Sequence, residues 1–380
     1  MKRAPALLAM AAAAMLAGGT SVLGVCGPFT DTANDAFCTF VLEIFHLAIT
    51  TGTTPTTYDP NSNVTRLQMA AFLSRSVDRV LNRSARRTAM GQFSVPGGAI
   101  AMAQTTLPGP SPYFAVSDGT DIWVPSNANQ VTRVHGSDGR ILETWTGGYA
   151  AFSLVSALGR IFVNGVFSLY MIDPRQPAGA MTTVASGLPN GSGGMAFDGQ
   201  RLFIPHQGSV VIAFPSATIP FTTITVSSGF NSPLGAVFDG SNVWVTDAAA
   251  GTLLKLDSGG TILQTVTIGF GPEHPVFDGT NILVPTDGNI VAVVRPATGL
   301  ILTTLTGNGL NHATNVASDG ERVLVANEIG NSVSLWKAAD FTPLGSFSTG
   351  ASSFPFGVCS DGVDFWIVLQ TSPNGRLARF

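Results

Sequence analysis

The sequence predicts an all-β fold, a seven-bladed β-propeller, preceded by a small α-helical hairpin domain. Three observations lead to this prediction: a phrase that recurs seven times about every 40 residues, a turn-rich composition, and two stretches of helical periodicity near the N-terminus. Hydrophobic residues make up 45% of the 380 residues and charged residues only 11%, against roughly 25% in an average domain. With 43 glycines and 23 prolines, this composition is typical of many short strands joined by turns.

The charge of the chain bears on its partners. The net charge is −4, and the basic residues form no long run. A phosphate backbone binds to a positive field, which such a chain does not provide. The sequence therefore argues against nucleic acid as a partner.

The first 24 residues have the order of a secretory signal peptide. Lys2 and Arg3 are followed by the apolar run "ALLAMAAAAMLAG" at residues 5–17 and then by small residues. Cleavage is expected at Gly24 or up to six residues earlier. The run is shorter than the roughly 20 apolar residues that a transmembrane helix needs. No later stretch is long and apolar enough to cross a bilayer, so the mature chain is predicted to have no transmembrane segment.

The three cysteines have different expected roles. In an exported chain, Cys26 and Cys38 are expected to form a disulfide at the start of the first folded unit. A second interpretation makes Cys26 the acylated residue of a lipoprotein, although Val25 stands where a small residue is usual. Cys359 occupies a repeat position that is valine or alanine in the other copies, so it is expected to be a small hydrophobic core residue.

Residues 26–82 are predicted to form two helices joined by an ordered loop. The first helix, within residues 34–47, places five apolar residues on one face: Phe37, Phe40, Val41, Ile44 and Phe45. The second helix begins at Thr65, whose Thr-x-x-Gln spacing with Gln68 is that of a capping box. Its predicted buried stripe consists of Met69, Phe72, Leu73, Val77, Val80 and Leu81. Residues 83–98 show neither helical nor strand periodicity and are predicted to be a linker.

This N-terminal unit resembles a surface-layer homology (SLH) domain. The matching motifs are Phe29-Thr30-Asp31, Ile49-Thr50-x-Gly52, Tyr58-x-Pro60, and Val64-Thr65-Arg66 followed by Gln68. The resemblance implies that the unit attaches an exported protein to cell-envelope polysaccharide, with Arg66 as the contact candidate. Two features depart from the family: Leu67-Gln68 stands where Ala-Glu is usual, and one copy is present where wall-anchoring proteins often have three. The alternatives are a purely structural module and a solvated Arg66.

The recurring phrase is an Asp-Gly pair followed, two residues later, by an apolar triplet. The triplets are Ile122-Trp123-Val124, Ile161-Phe162-Val163, Leu202-Phe203-Ile204, Val243-Trp244-Val245, Ile282-Leu283-Val284, Val323-Leu324-Val325 and Phe365-Trp366-Ile367. Their starts lie 39 to 42 residues apart, and only the second copy lacks Asp-Gly. A period near 40 with short strands and a fixed turn is typical of a propeller with one four-stranded blade per repeat. Seven copies predict seven blades within residues 99–380.

One repeat contains all four strands of a blade. "GAVFD" is the predicted inner strand, "NVWVTD" the second, "TLLKLD" the third and "TILQTVTI" the outer strand. The last repeat ends with its third strand, "GRLARF", and lacks an outer strand. The segment "AIAMAQTTL" at residues 99–107 is expected to supply it and so to join the first and last blades.

The repeats resemble those of the bacterial YVTN and NHL-like propellers, through the shared phrase of Asp-Gly, two residues, and a hydrophobic-aromatic-valine run. That family includes binding proteins and a minority of enzymes, such as lyases resembling virginiamycin B lyase. The fold does not select among these functions.

Loops at one mouth of the propeller channel carry the candidate site residues. These loops contain Asn127, Asn164, His206, Asp247, Glu273, His274, Asp287, His312, Glu328 and Gln370. The binding candidates among them are His206, Asp247, His274, Asp287, His312 and Glu328, whose side chains suit a divalent metal or acid–base chemistry. They have no fixed spacing, so ordinary solvated loop residues are the alternative, and the metal question stays open. No HExxH, GxSxG, P-loop or CxxC motif occurs, so we expect no cofactor and assign no catalytic residue.

Together these features predict an exported protein of the cell envelope or cell surface. Its SLH-like unit would attach to envelope polysaccharide, and its propeller would present a surface that binds a protein or a glycan. One alternative is a lyase or hydrolase with a metal-assisted site at the channel mouth. Another is a structural envelope component without a small ligand.

Overall fold

A computed structural model describes residues 29–32, 41, 44–45, 49–66, 68–73, 76, 102–191 and 193–380. These residues fall into two compact units, one within residues 1–87 and one within residues 88–380. The predicted signal peptide, the predicted linker and both cysteines of the predicted Cys26–Cys38 pair lie outside the described residues.

The N-terminal unit has a small aromatic core. Phe29 is fully buried, and the rings of Phe45 and Tyr58 lie 5.2 and 5.6 Å from its ring centroid. Val41 completes the cluster. The backbone is helical at Val41, Ile44 and Phe45, and again at Arg66, residues 68–73 and Ser76. Both predicted helices are therefore present where the structure describes them.

The second helix begins with the predicted capping box, which the structure confirms. The Thr65 N–H donates to Gln68 Oε1 at 2.8 Å, and the Gln68 N–H donates to Thr65 Oγ1 at 3.2 Å. The predicted buried stripe is wrong at Met69 and Leu73, whose side chains are 47% and 60% exposed. The face with lower exposure runs instead through Phe72 and Ser76, one turn later. The helix is therefore rotated about its axis relative to the predicted buried stripe.

Residues 102–380 form seven four-stranded antiparallel sheets, the blades of a propeller. Blade 1 contains β2 (Val116–Ser117), β3 (Asp121–Ser126), β4 (Gln130–His135) and β5 (Ile141–Thr146), and blade 2 contains β6 (Ser153–Ala157), β7 (Arg160–Asn164), β8 (Ser168–Ile172) and β9 (Thr182–Ser186). Blade 3 contains β10 (Ala196–Phe197), β11 (Leu202–His206), β12 (Ser209–Phe214) and β13 (Thr222–Val226), and blade 4 contains β14 (Pro233–Phe238), β15 (Val243–Asp247), β16 (Thr252–Leu256) and β17 (Ile262–Thr267). Blade 5 contains β18 (Val276–Phe277), β19 (Ile282–Pro285), β20 (Val291–Arg295) and β21 (Leu300–Leu305), and blade 6 contains β22 (Ala313–Ser318), β23 (Arg322–Asn327), β24 (Ser332–Lys337) and β25 (Pro343–Ser348). Blade 7 contains β26 (Pro355–Ser360), β27 (Phe365–Leu369), β28 (Arg376–Arg379) and β1 (Ala103–Thr106).

The ring closes through blade 7, as the sequence predicted. β1, from the start of the propeller, pairs antiparallel with β28, from the end of the chain, with Gln104 opposite Ala378. The Leu107 N–H adds a hydrogen bond to the Gly375 carbonyl at 2.9 Å. Closure in this manner leaves no unpaired edge on β28, the third strand of blade 7.

The hydrophobic core lies between neighbouring blades. The second strand of each blade is buried on both faces, which explains why its sequence is an uninterrupted apolar run. Trp244 of blade 4, for example, packs in one cluster with Ile282 and Val284 of blade 5. Cys359 packs against such a cluster between blades 7 and 1, and burial raises the pKa of its thiol, which fits the predicted core role.

The Asp-Gly turn joins the inner strand to the second strand, and in blade 4 its aspartate satisfies three donors. Asp239 Oδ1 accepts the N–H groups of Ser241 and Asn242 at 2.8 and 2.7 Å, while Oδ2 accepts the indole N–H of Trp244 at 2.7 Å. Gly240 has a φ of +92°, where a side chain would be strained. The turn therefore fixes both the chain reversal and the orientation of the core tryptophan.

Four other blades place a side-chain donor on the same aspartate oxygen. Asp118 and Asp361 accept the indole N–H groups of Trp123 and Trp366, both at 2.8 Å, and Asp198 and Asp319 pair with Arg201 and Arg322 at 3.0 and 2.8 Å. The donor is a tryptophan five residues after the aspartate or an arginine three residues after it. The repeated phrase thus encodes a turn together with a hydrogen bond to the aspartate or, at Asp198 and Arg201, an ion pair without hydrogen-bond geometry.

We predict that Asp239→Ala destabilises the fold by about 2–4 kcal/mol, because three donors lose a charged acceptor. A double-mutant cycle with Trp244→Phe, measured by urea unfolding, is expected to give a coupling energy of about 1–3 kcal/mol. Asp278→Ala is the matched control, since that turn has no indole bond, and it is expected to cost less. A coupling energy near zero would show that the indole bond does not stabilise the blade.

Candidate functional site

The candidate site lies at the channel mouth where the inner strands begin. Inner and second strands pair antiparallel, so the start of one meets the end of the other, as Pro233 meets Asp247 in blade 4. The loops before the inner strands and after the second strands therefore gather at this mouth. The Asp-Gly turns lie at the opposite end of the toroid.

Aromatic rings from four blades meet across the channel at this end. Phe114 of blade 1 lies with its ring centroid 5.2 Å from Phe152 of blade 2, 4.6 Å from His274 of blade 5 and 5.8 Å from Phe356 of blade 7. Tyr113 lies 4.6 Å from Phe152. Because the contact between Phe114 and His274 joins blades 1 and 5, which are not neighbours in the ring, the aromatic rings reach across the channel. We call these five residues the aromatic floor.

One side of the mouth is acidic. Glu273 precedes the inner strand of blade 5, Asp287 and Glu328 follow the second strands of blades 5 and 6, and His312 precedes the inner strand of blade 6. His312 Nε2 lies 2.9 Å from Asp287 Oδ1, and His312 Nδ1 lies 2.9 Å from Glu328 Oε2. Neither approach has the angular geometry of a hydrogen bond. We call these four residues the acidic cluster.

His312 is held in this position by its backbone. Its φ is +58°, and its N–H donates to Asn289 Oδ1 of the preceding blade at 2.6 Å. A left-handed backbone at a non-glycine residue costs on the order of 1 kcal/mol or more, which this hydrogen bond helps to offset. The same device occurs twice more, from Ala150 to Asn129 at 2.9 Å and from Phe354 to Asn331 at 3.1 Å. The asparagine thus links one blade to the start of the next.

Burial keeps two neighbouring groups of the mouth neutral. Desolvation, reinforced by the charges of Asp287 and Glu328, raises the pKa of Glu273 to about 8. Desolvation also lowers the pKa of His274 to about 3. The 3.7 Å approach of Glu273 Oε2 to His274 Nε2 therefore joins two neutral groups at pH 7, and it is not an ion pair.

Two of the sequence-predicted residues, His206 and Asp247, are buried beside the mouth and contact loop backbone. His206 is buried, its Nδ1 lies 2.9 Å from the Gly191 carbonyl, and burial lowers its pKa. Asp247 is fully buried and accepts the N–H groups of Asn231, Ser232 and Ala250 at 2.7, 2.9 and 3.1 Å. Both side chains order loops around the mouth. His274, Asp287, His312 and Glu328 are brought together on one side.

Sequence reasoning missed the aromatic floor as a unit and the asparagine links between blades. The floor has a signal in the sequence, since Tyr113, Phe114 and Phe152 all lie just before inner strands. The contact between Phe114 of blade 1 and His274 of blade 5 has no signal in the sequence, because it depends on how the seven blades are arranged around the channel. Within the part of the chain that the structure describes, no group of three or more His, Cys, Asp or Glu side chains has metal-binding geometry.

A second candidate site lies in the N-terminal unit. Its pocket has a volume of 470 Å³ and is lined by Thr50, Thr51, Gly52, Thr53, Tyr58, Asp59, Pro60, Ser62, Asn63, Val64, Gln68, Ala71 and Phe72. Asp31 orders one wall by accepting the N–H groups of Tyr58 and Asp59 at 2.9 and 2.7 Å, and these bonds lower its pKa. Arg66 is exposed in the first turn of the second helix and does not line this pocket.

Comparisons with known proteins agree with both units. A family model of the S-layer homology domain matches residues 28–70, so the chain carries an SLH domain followed by a seven-bladed propeller. A structure described as streptogramin B lyase is similar with a TM-score of 0.60 and 16% identity, covering 73% of this chain and 97% of that chain. The WD40 β-propeller domain of Doa1 is similar with a TM-score of 0.58 and 13% identity, at the same coverages. At these identities the likeness concerns the fold alone, and the assignment to YVTN or NHL-like repeats stays a prediction.

No curated protein matches the chain. Among the described residues, no helix has both the length and the apolar character needed to cross a membrane. An SLH domain implies a protein of the cell surface or envelope.

The raised pKa of Glu273 predicts a specific pH dependence of stability. Its pKa in the folded chain, about 8, lies above the ordinary value of 4.5, so the folded state binds more protons between these pH values. The stability that this group contributes is therefore fully present below about pH 4.5 and is lost as the pH rises through about 8. Glu273→Gln, which stays neutral, is expected to be the more stable protein at pH 9, by on the order of 3 kcal/mol.

The measurement is urea unfolding of both proteins at pH 5, 7 and 9. Glu143→Gln is the control, because this carboxylate lies on the outer strand of blade 1, not in blade 5, and pairs with Arg133. Parallel pH profiles for the wild type and Glu273→Gln would show that Glu273 is ionised in the folded chain at neutral pH.

Proposed function

We propose that this chain is an exported envelope protein whose SLH domain attaches to envelope polysaccharide and whose propeller binds a glycan or a protein at the channel mouth. The observation that carries the proposal is the combination of an SLH domain with a propeller mouth that has both aromatic and acidic surfaces. The signal peptide predicted at residues 1–24 is consistent with export.

The SLH pocket has the chemistry of a carbohydrate site. Threonine and serine hydroxyls, the Asn63 amide and the Gln68 amide supply donors and acceptors, and Tyr58 and Phe72 supply ring surface. Sugar rings offer hydroxyls at their edges and C–H groups on their faces, so they match this mixture. Arg66, exposed beside the same helix start, would add a cationic contact for an acidic polysaccharide.

The propeller mouth supports recognition by similar means. The aromatic floor offers ring faces, while Asp287 and Glu328 offer carboxylates that accept hydrogen bonds from hydroxyl or amine groups. His206 and Asp247 also hold the loops around the mouth through contacts with backbone groups. Exposed apolar side chains in the same loops, Tyr149 at 62% and Phe354 at 42%, widen the surface available to a partner.

One observation favours an enzyme as the second candidate. A carboxyl group with a pKa near 8 is protonated at neutral pH and is able to act as a general acid, with His312 nearby as a base. A lyase or hydrolase that uses acid–base chemistry at this mouth is the corresponding proposal; the described residues offer no group with the geometry for the metal assistance that the sequence suggested. Its signature would be turnover that is lost in His312→Gln while ligand binding is retained.

Attachment is tested by sedimentation with purified cell walls. The full chain is expected to pellet with walls, and Arg66→Ala combined with Asn63→Ala is expected to weaken binding about tenfold, because a cation and a polar contact are lost. Arg175→Ala is the matched control, since Arg175 is an exposed arginine on the propeller. Failure of the full chain to pellet with walls would contradict attachment, and equal sedimentation of the double variant and the wild type would show that Arg66 and Asn63 do not contact the polysaccharide.

A further inference from the structure

The Asp-Gly turn of blade 5 lacks a partner that the other Asp-Gly turns have. Asp278 Oδ1 accepts the N–H groups of Thr280 and Asn281 at 2.8 and 2.7 Å, as in the other blades. At the two positions that supply the side-chain donor elsewhere, blade 5 has Asn281 and Leu283. Leu283 is fully buried in the core. Among the described residues, no side chain donates a hydrogen bond to Asp278 Oδ2.

A pocket stands where the missing donor would lie. It has a volume of 410 Å³ and is lined by Asp278, Thr280, Asn281, Gly320, Glu321, Lys337, Ala338 and Ala339. The equivalent pocket between blades 3 and 4 is lined in part by Asp198, Arg201 and Ser258 and measures only 150 Å³. The smaller pocket has an arginine in its wall where the larger one has Asn281. We call the larger one the blade-5 pocket.

Arg201 shows which chemistry fits this location. Its Nε lies 3.0 Å from Asp198 Oδ2, and its Nη1 donates to the Ser258 carbonyl of the next blade at 2.8 Å. The guanidinium thus bridges the turn carboxylate of one blade and a turn carbonyl of the next. Strand registers place Ala338 of blade 6 at the position equivalent to Ser258. The blade-5 pocket therefore presents the same carboxylate and the corresponding turn.

The charge of the blade-5 pocket favours a cation. Asp278 and Glu321 are acidic and Lys337 is basic, so the ionisable lining groups sum to one negative charge at pH 7. A planar guanidinium with several N–H donors matches a carboxylate and a carbonyl better than an ammonium, which acts as a point charge. An anionic or purely apolar ligand would supply no donor to Asp278 Oδ2.

We propose that the blade-5 pocket is a binding site for a guanidinium group, supplied either by an arginine side chain of a partner polypeptide or by free arginine. The ligand guanidinium occupies in trans the position that Arg201 and Arg322 occupy in cis. This site lies at the end of the toroid opposite the channel mouth, so it is independent of the proposed mouth ligand.

The full-length chain is titrated with acetyl-Gly-Arg-Gly-amide and with L-arginine in an isothermal calorimeter. The control ligands are the matching citrulline peptide, which is neutral, and the matching lysine peptide. The arginine peptide is expected to bind saturably and at least about tenfold more tightly than either control, because only it offers a charged planar donor. Tighter binding of the peptide than of L-arginine identifies a polypeptide partner, and the reverse identifies the free amino acid; both support the site.

Two variants test the location. Asn281→Arg supplies the guanidinium in cis, at the spacing seen in Asp198–Arg201, and is expected to abolish binding while raising Tm. Asp278→Asn is expected to weaken binding about tenfold. Ser241→Arg, which adds the same charge to an exposed turn position in blade 4, is the control and is expected to bind like the wild type.

Far-UV circular dichroism and Tm establish that each variant is folded. The proposal is overturned if the arginine peptide shows no saturable binding, if the citrulline peptide binds equally well, or if folded Asn281→Arg binds as the wild type does.

Discussion

Pairing between the two ends of the propeller sequence is the constraint on which the rest of the molecule depends. β1 and β28 are separated by almost the whole domain, yet they lie side by side in blade 7 with a defined register. Each blade buries its second strand only against its neighbours, so an open ring would expose an apolar face at both ends. Closure brings blades 7 and 1 into contact and so completes the core. It also fixes the radius of the channel, and therefore which side chains meet across it.

The two ends of the closed toroid have different chemistry because different loops gather there. At one end the Asp-Gly turns repeat with little variation, and in five of the seven blades the aspartate ties the turn to the core or to the next blade through an indole or a guanidinium. At the other end the loops vary, and they bring aromatic rings, carboxylates and His312 to the mouth. The repeated contact between the turn aspartate and an indole or guanidinium stabilises the blades at one end, and the loop sequences at the channel mouth can therefore vary. Blade 5 departs from the repeat at the end with the Asp-Gly turns. It has Asn281 and Leu283 where other blades have the side-chain donor, and a pocket opens there.

The fold could be predicted almost completely from the sequence, and the site only in part. A period near 40 with Asp-Gly at a fixed place determines blade number, strand order and the closing strand, because each repeat carries its own local signals. The capping box at Thr65 is equally local. The exposure of Met69 and Leu73 was not predictable, because an apolar stripe along a helix does not show which of its residues will pack against the rest of the domain. Likewise, polar mouth residues look alike in sequence, but Asp247 is used by loop backbone whereas Asp287 faces His312. That difference arises from the tertiary arrangement and has no periodic signature.

Hydrogen exchange of the closing strand tests the account most directly. In the closed ring, β1 is the outer strand of blade 7, so alternate backbone amides of Ala103–Thr106 are hydrogen-bonded to β28. These bonded amides are expected to exchange much more slowly than the amides of an unstructured peptide when followed by mass spectrometry of the full chain. Both segments should lose protection together on addition of urea, because they belong to one sheet. Exchange of residues 103–106 at the rate of an unstructured peptide, with residues 376–379 still protected, would contradict closure of the toroid by this strand.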